Sequence, residues 1–82
     1  MSKKLKLINR IKANPVGVRY EDACKVAQWL GFGAKAGKGS HTVFVHPTGM
    51  MLNFQNRRGY ILAYQADQLI TAIDQFIETI EE

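Results

Sequence analysis

The last third of the chain limits what it can fold into more than any other segment. Ala66, Leu69, Ile70, Ile73, Phe76, Ile77 and Ile80 recur at three- and four-residue spacing and predict a helix carrying an apolar stripe about four turns long. This is the largest block of core in the sequence, and it needs a surface to cover. Met50, Leu52 and Phe54 alternate with Met51, Asn53 and Gln55 and predict a strand with one face on the core and one towards water. Ala23, Val26, Ala27 and Leu30 fall at i, i+3, i+4 and i+7 and predict a helix from about Glu21 to Leu30. Glu21 and Asp22 suit its positive end, and Gly31 suits a left-handed C′ position from which Phe32 folds back on the last turn.

The remaining segments complete a layered architecture. Leu7, Ile8 and Ile11 predict a short basic amphipathic helix that ends near Ala13, because Asn14 precedes Pro15 and is pushed out of the α region. Pro15-Val16-Gly17 reads as a linker. The β-rich run His41-Thr42-Val43-Phe44-Val45-His46 predicts a strand, and Pro47-Thr48-Gly49 the turn that pairs it with Met50–Gln55 as a hairpin. Gly33–Lys38 adds a weak edge strand. Either face of the first hairpin strand could be inside: Val43 and Val45 lie with His41, while Phe44 lies with Thr42 and His46. The expected fold is α+β, with helices on one face of a small antiparallel sheet. At 82 residues it is one domain, residues 18–82, preceded by a basic helix and linker over residues 1–17.

Charge narrows the function. The formal charge is +4, but residues 1–62 carry +9 and residues 63–82 carry −5. Between Cys24 and Leu62 lie Lys25, Lys35, Lys38, Arg57 and Arg58 and no carboxylate. Such a stretch favours an anionic ligand, nucleic acid first among them, against the alternative of an ordinary solvated surface. The single cysteine, Cys24, cannot form an internal disulfide, and no Cys/His cluster has metal-ligand spacing. Lys3, Lys4 and Lys6 are not followed by the apolar run of a signal peptide, and no segment approaches the ~18 apolar residues of a membrane span. A soluble cytoplasmic protein is expected.

Gly37-Lys38-Gly39-Ser40-His41 is where chemistry can concentrate. Glycines let backbone amides approach a phosphate, Lys38 neutralises it, Ser40 offers a hydroxyl, and an imidazole with an ordinary pKa near 6.5 gives or takes a proton at neutral pH. The competing reading of His41 is a partly exposed structural residue. No P-loop forms here, because the Gly-Lys-Ser/Thr ending and the following helix are missing. Ser40 and His41 are adjacent on a strand and point to opposite faces, and the same parity separates His41 from His46. With no carboxylate from Ala23 to Ala66, a two-metal centre lacks ligands, so catalysis would be metal-independent, need no cofactor, and rest on His41. Arg57 and Arg58 either grip phosphate or decorate a solvated turn. Cys24 reads as a buried inert thiol, and Trp29 as core rim rather than a base-stacking surface.

At Gly39-Ser40-His41-Thr42-Val43-Phe44 the sequence resembles the HicA family of toxin–antitoxin proteins. The helix ending in Leu30-Gly31-Phe32, the basic lead-in Lys38-Gly39, the Gly-Ser-His followed by an aromatic, and Tyr64-Gln65 opening a final helix come in family order over about Val18 to Phe76. The resemblance implies an α-β-β-β-α fold like that of double-stranded-RNA-binding domains. It also implies endoribonuclease activity on messenger RNA with His41 catalytic, a HicB-type antitoxin as partner, and scope for a higher-order toxin–antitoxin complex. Lys35, Lys38, Ser40, Arg57 and Arg58 are the candidate RNA-binding residues. The sequence departs from the family at Asn53–Gly59, which stands where a proline-containing segment is usual. A reading from a different class uses the same basic surface: an RNA-binding module without chemistry. His41 separates the two, since a binding module has no need of an imidazole there.

Overall fold

The structure, a computed structural model, describes residues 2–35 and 41–80. Helix α1, Lys3–Ala13, starts where Ser2 Oγ accepts the Leu5 amide at 3.1 Å and stops ahead of Pro15. Its Ile8 and Ile11 are buried. Helix α2, Tyr20–Trp29, ends in a Schellman motif: Gly31 has φ +99°, its amide donates to Gln28 O at 3.1 Å, and the Phe32 amide donates to Ala27 O at 3.0 Å. Phe32 is folded back into the core, as the spacing predicts.

Three strands follow in chain order, β1 (Gly33–Lys35), β2 (His41–Val45) and β3 (Met51–Gln55), all antiparallel, with β2 central. The expected hairpin is β2–β3, with His41 opposite Gln55 and Val45 opposite Met51. The expected edge strand is seen as β1 over Gly33–Lys35, with Lys35 opposite Val43, and residues 36–38 of that expectation lie outside the described residues. Beyond β3 the chain reverses through a two-residue turn. Arg57 and Tyr60 exchange backbone bonds of 2.8 and 3.0 Å around Arg58 and Gly59, at φ +55° and +92°, the signature of a type I′ turn. The returning chain then pairs with the approach to α2: Ile61 N–H donates to Val18 O at 3.0 Å and Tyr20 N–H to Gly59 O at 2.9 Å.

Helix α3 covers Ala63–Phe76 and tightens into a 3₁₀ turn at Ile77–Thr79. The periodic stripe runs on to Ile80, but the α-helix stops four residues earlier. Ile77 and Ile80 still pack against the core from the 3₁₀ turn and the extended residue after it. All three helices share one core. Phe44, Leu52 and Phe54 of the sheet meet Val26, Ala27 and Leu30 of the α2 end and Leu69, Ala72 and Ile73 of α3, with Ile8 and Ile11 of α1 joining them. Lys12 Nζ lies 2.7 Å from Asp74 Oδ1 and Arg10 Nη2 3.7 Å from Asp22 Oδ2, tying α1 to the other helices at the surface. Among the described residues no helix is long and apolar enough to cross a membrane.

The core leaves little redundancy. Ile73 is fully buried, and replacing it by Ala is expected to cost roughly 2 to 5 kcal/mol. That is a large part of the about 4 to 12 kcal/mol available to a domain this size. Urea unfolding checks it: a neutral Ile73→Ala would mean that α3 is not packed as described.

Candidate nucleic-acid interface

Alternation along three short strands divides the sheet into a covered and an open face. Phe44 is 1% exposed and its ring centroid lies 5.8 Å from that of Phe54, so β2 turns Phe44 inward. Thr42, on the same side, bonds the Tyr20 hydroxyl beneath the sheet. His41, Val43 and Val45 therefore stand on the open face with Lys35 of β1 and Met51, Asn53 and Gln55 of β3, since residues directly opposite share a face. The alternative the sequence left open is decided by the two phenylalanine rings and the Tyr20 anchor.

His41 is exposed, at the first residue of β2. Both of its structural neighbours are pinned by polar bonds on the covered side. Thr42 is held by Tyr20, and Gln55, directly across the ladder, is held by Gln65. The Gln65 side chain is 2% exposed. Its Oε1 accepts the Gln55 amide at 3.0 Å and the Leu62 amide at 3.1 Å, while its Nε2 lies 3.4 Å from the Tyr64 hydroxyl. One amide thus joins the end of β3 to the start of α3 and satisfies an orphan N–H of the helix N-terminus.

Lys35 is exposed on the open face, diagonal to His41. Arg57 and Arg58 are exposed in the turn that follows Gln55, at the same end of the sheet as His41. Lys38 and Ser40 lie outside the described residues. The structure thus gathers Lys35, His41, Arg57 and Arg58 towards one end of the sheet. The described part of the open face carries no carboxylate, and the ion pairs found among the described residues do not involve these groups. Among the described residues no three His, Cys, Asp or Glu side chains are grouped to hold a metal ion.

His46 is built for structure. It stacks on Phe76 at 3.8 Å and 20°, tilts against Phe32 at 5.0 Å, and its Nδ1 accepts the Thr48 amide at 3.1 Å. It also lies where a Cβ on Gly31 would sit 3.4 Å from its Nε2. Strand parity places it on the face opposite His41, as the five-residue spacing predicts. Cys24 is half-buried, and burial pushes its thiol above the ordinary range against the opposing hydrogen bond from Tyr20. The sequence predicts a buried thiol, and the structure leaves it half-buried on the rim of the core. Trp29 packs on the core rim with Lys4 Nζ 5.5 Å from its ring centre.

Gln65 and Tyr20 are the positioning residues that sequence reasoning did not assign. Gln65 had a signal, a Gln at the third position of a helix, but Leu62 at the N-cap hides the usual capping-box pattern. Replacing Gln65 by Leu strands two amides, and thermal or urea unfolding is expected to show a loss of about 2 to 4 kcal/mol. Wild-type stability would mean that water takes over both bonds. The chain matches no family model, no curated protein and no solved structure, so the function of this surface is to be read from its own residues.

Proposed function

We propose that this protein is a metal-independent endoribonuclease of the HicA kind, acting on messenger RNA in the cytoplasm, with His41 as its proton-transfer group. The observation that carries the reading is an exposed imidazole on a sheet face that none of the described helices covers, with Lys35 beside it and no carboxylate among the described residues of that face. The run α2–β1–β2–β3–α3 has the α-β-β-β-α order of the double-stranded-RNA-binding-domain fold and supports it.

The chemistry that fits these residues uses the substrate's own nucleophile. The ribose 2′-oxygen forms a bond to the adjacent phosphorus, the P–O5′ bond breaks, the 2′-proton passes to His41 as the general base, and solvent water protonates the departing O5′. Alternatively, His41 in its protonated form gives a proton to the departing O5′ as the general acid while solvent water takes the 2′-proton. In either case the products are a 2′,3′-cyclic phosphate and a 5′-hydroxyl. Lys35, Lys38, Ser40, Arg57 and Arg58 hold the phosphates on either side. Replacing His41 by Ala is expected to slow cleavage by about 10² to 10⁴-fold. Folding should be unaffected, because the residue is exposed at a strand end. EDTA is expected to change nothing, and a 2′-deoxy substitution at the scissile nucleotide should block the cut. A His41→Ala protein that cuts at the wild-type rate would sink the mechanism. Wild-type protein that binds RNA and never cuts it would be the non-catalytic module instead.

The same face fits an antitoxin. Val43 and Val45 are half-buried and Met51 is 58% exposed, an apolar strip bordered by Lys35 and His41. A protein cover with an acidic binding segment would shield the strip and block RNA from His41, with association that weakens as salt rises. Val43→Asp is expected to loosen the complex with a HicB-type antitoxin while the free protein keeps its melting temperature, because Val43 faces outward. Calorimetric titration and thermal unfolding read the two effects separately. An unfolded Val43→Asp protein would mean that Val43 supports the core, and an antitoxin that leaves His41 open to RNA would defeat the masking.

A further inference from the structure

The returning chain beyond β3 brings Arg19 and Tyr60, which the strand-end site does not include, beside its Arg57 and Arg58. Tyr60 is the middle residue of a narrow three-stranded strip, opposite Arg57 across the type I′ turn and opposite Arg19 on its other side. The bonds Ile61 N–H to Val18 O and Tyr20 N–H to Gly59 O flank the Arg19–Tyr60 pair. It is therefore a non-hydrogen-bonded pair, the kind whose side chains stand closest on a shared face. Arg19, Tyr60 and Arg57 thus form a row of cation, ring, cation. Tyr60 is 44% exposed, so its ring is open to a ligand.

Arg58 adds a second observation. It is the only non-glycine among the described residues with a positive φ, at +55°, and it occupies the first central position of a type I′ turn, where Asn, Asp or Gly would sit without strain. An arginine there is held against its backbone preference. It lines a groove of about 190 Å³ with Arg19, Tyr60, Tyr20 and Asn56, and Glu21 is the one carboxylate on it. Among the described residues neither Arg19, Arg57 nor Arg58 is paired with an acid.

We propose that Arg19, Tyr60, Arg57 and Arg58 form a subsite for a single-stranded nucleotide flanking the cleavage point, with the base stacked on Tyr60 and its neighbouring phosphates on the arginines. The proposal rests on RNA being the ligand of the open face. Alternation of cation and ring matches alternation of phosphate and base along a strand, whereas an acidic peptide needs the cations and not the ring. The turn directly follows Gln55, the residue opposite His41, so a strand crossing His41 reaches the subsite without leaving the surface.

The experiment measures anisotropy of a labelled single-stranded oligoribonucleotide on the His41→Ala background, so that the probe stays whole, across a salt series. Tyr60→Leu is expected to weaken binding roughly 5- to 150-fold, and Tyr60→Phe to keep it, since stacking does not need the hydroxyl. Arg19→Gln is expected to lower the salt slope by about 0.7. Arg58→Asn should weaken RNA binding while raising the melting temperature by roughly 2 to 8 °C, opposite signs that a structural role for the arginine would not give. Tight binding by the parent with Arg19→Gln and Tyr60→Leu unchanged would overturn the subsite and leave the strand-end site standing. A parent that binds no RNA would remove both.

Discussion

A sheet this narrow can be buried on one side only, and the rest of the molecule depends on which. Three strands of three, five and five residues present two faces of alternating side chains, and the chain has helical apolar surface enough for one. Phe44, Leu52 and Phe54 take that surface from Val26, Leu69 and Ile73. Period two then leaves His41, Val43 and Val45 no choice but the other face. A slip of one residue in the β2–β3 register would turn either Phe44 or the Leu52–Phe54 pair into water, so the position of His41 is fixed by core energetics it takes no part in.

What the sequence makes legible is what repeats. The α3 stripe, the α2 heptad-like spacing and the alternation of β3 each set one face against another, and each element is found where its period places it. The face of β2 had no such signal, because apolar residues occupy both of its sides. The choice belongs to tertiary contacts, the Phe54 ring and the Tyr20 hydroxyl. The end of α3 shows the converse limit. An apolar period reports which residues are buried and not which backbone bonds they make, so Ile77 and Ile80 keep their packing after the α-helix has given way.

The site divides in the same way. Residue types named Lys35, His41, Arg57 and Arg58, and the structure brings them towards one end of the sheet because β1, β2 and the turn after β3 converge there. Arg19 and Tyr60 carry no local signal, being forty-one residues apart and joined by a ladder too short to show a period. Gln65 was legible as a helix-start residue but not as the side chain that also holds the end of β3. Strand parity was enough to part His41 from His46, and the stacking of His46 on Phe76 explains why that second imidazole belongs to the core rim.

Electrostatics gives the open face a field that the overall charge understates. The acids of the second half, Asp67, Asp74 and Glu78 among the described residues, sit on exposed positions of α3 and the turn after it, on the helical side of the molecule. The shortest extent of the protein is 17 Å, about twice the ~8 Å over which charge is screened at physiological salt. The acids of α3 and the turn after it therefore do little to offset Lys35, Arg57 and Arg58 across the molecule, and Lys12 already occupies Asp74. An approaching polyanion meets the local balance of the open face, where Lys35 and the neighbouring Arg57 and Arg58 face no carboxylate among the described residues, and not the formal charge of +4. One-sided burial thus sets which charges border His41: Asp67 and Asp74 lie on α3 in the covering layer, α1 and α2 carry Lys3, Lys4, Lys6, Arg10, Lys12 and Lys25, and Lys35, Arg57 and Arg58 stand on the strands and turn beside the open face.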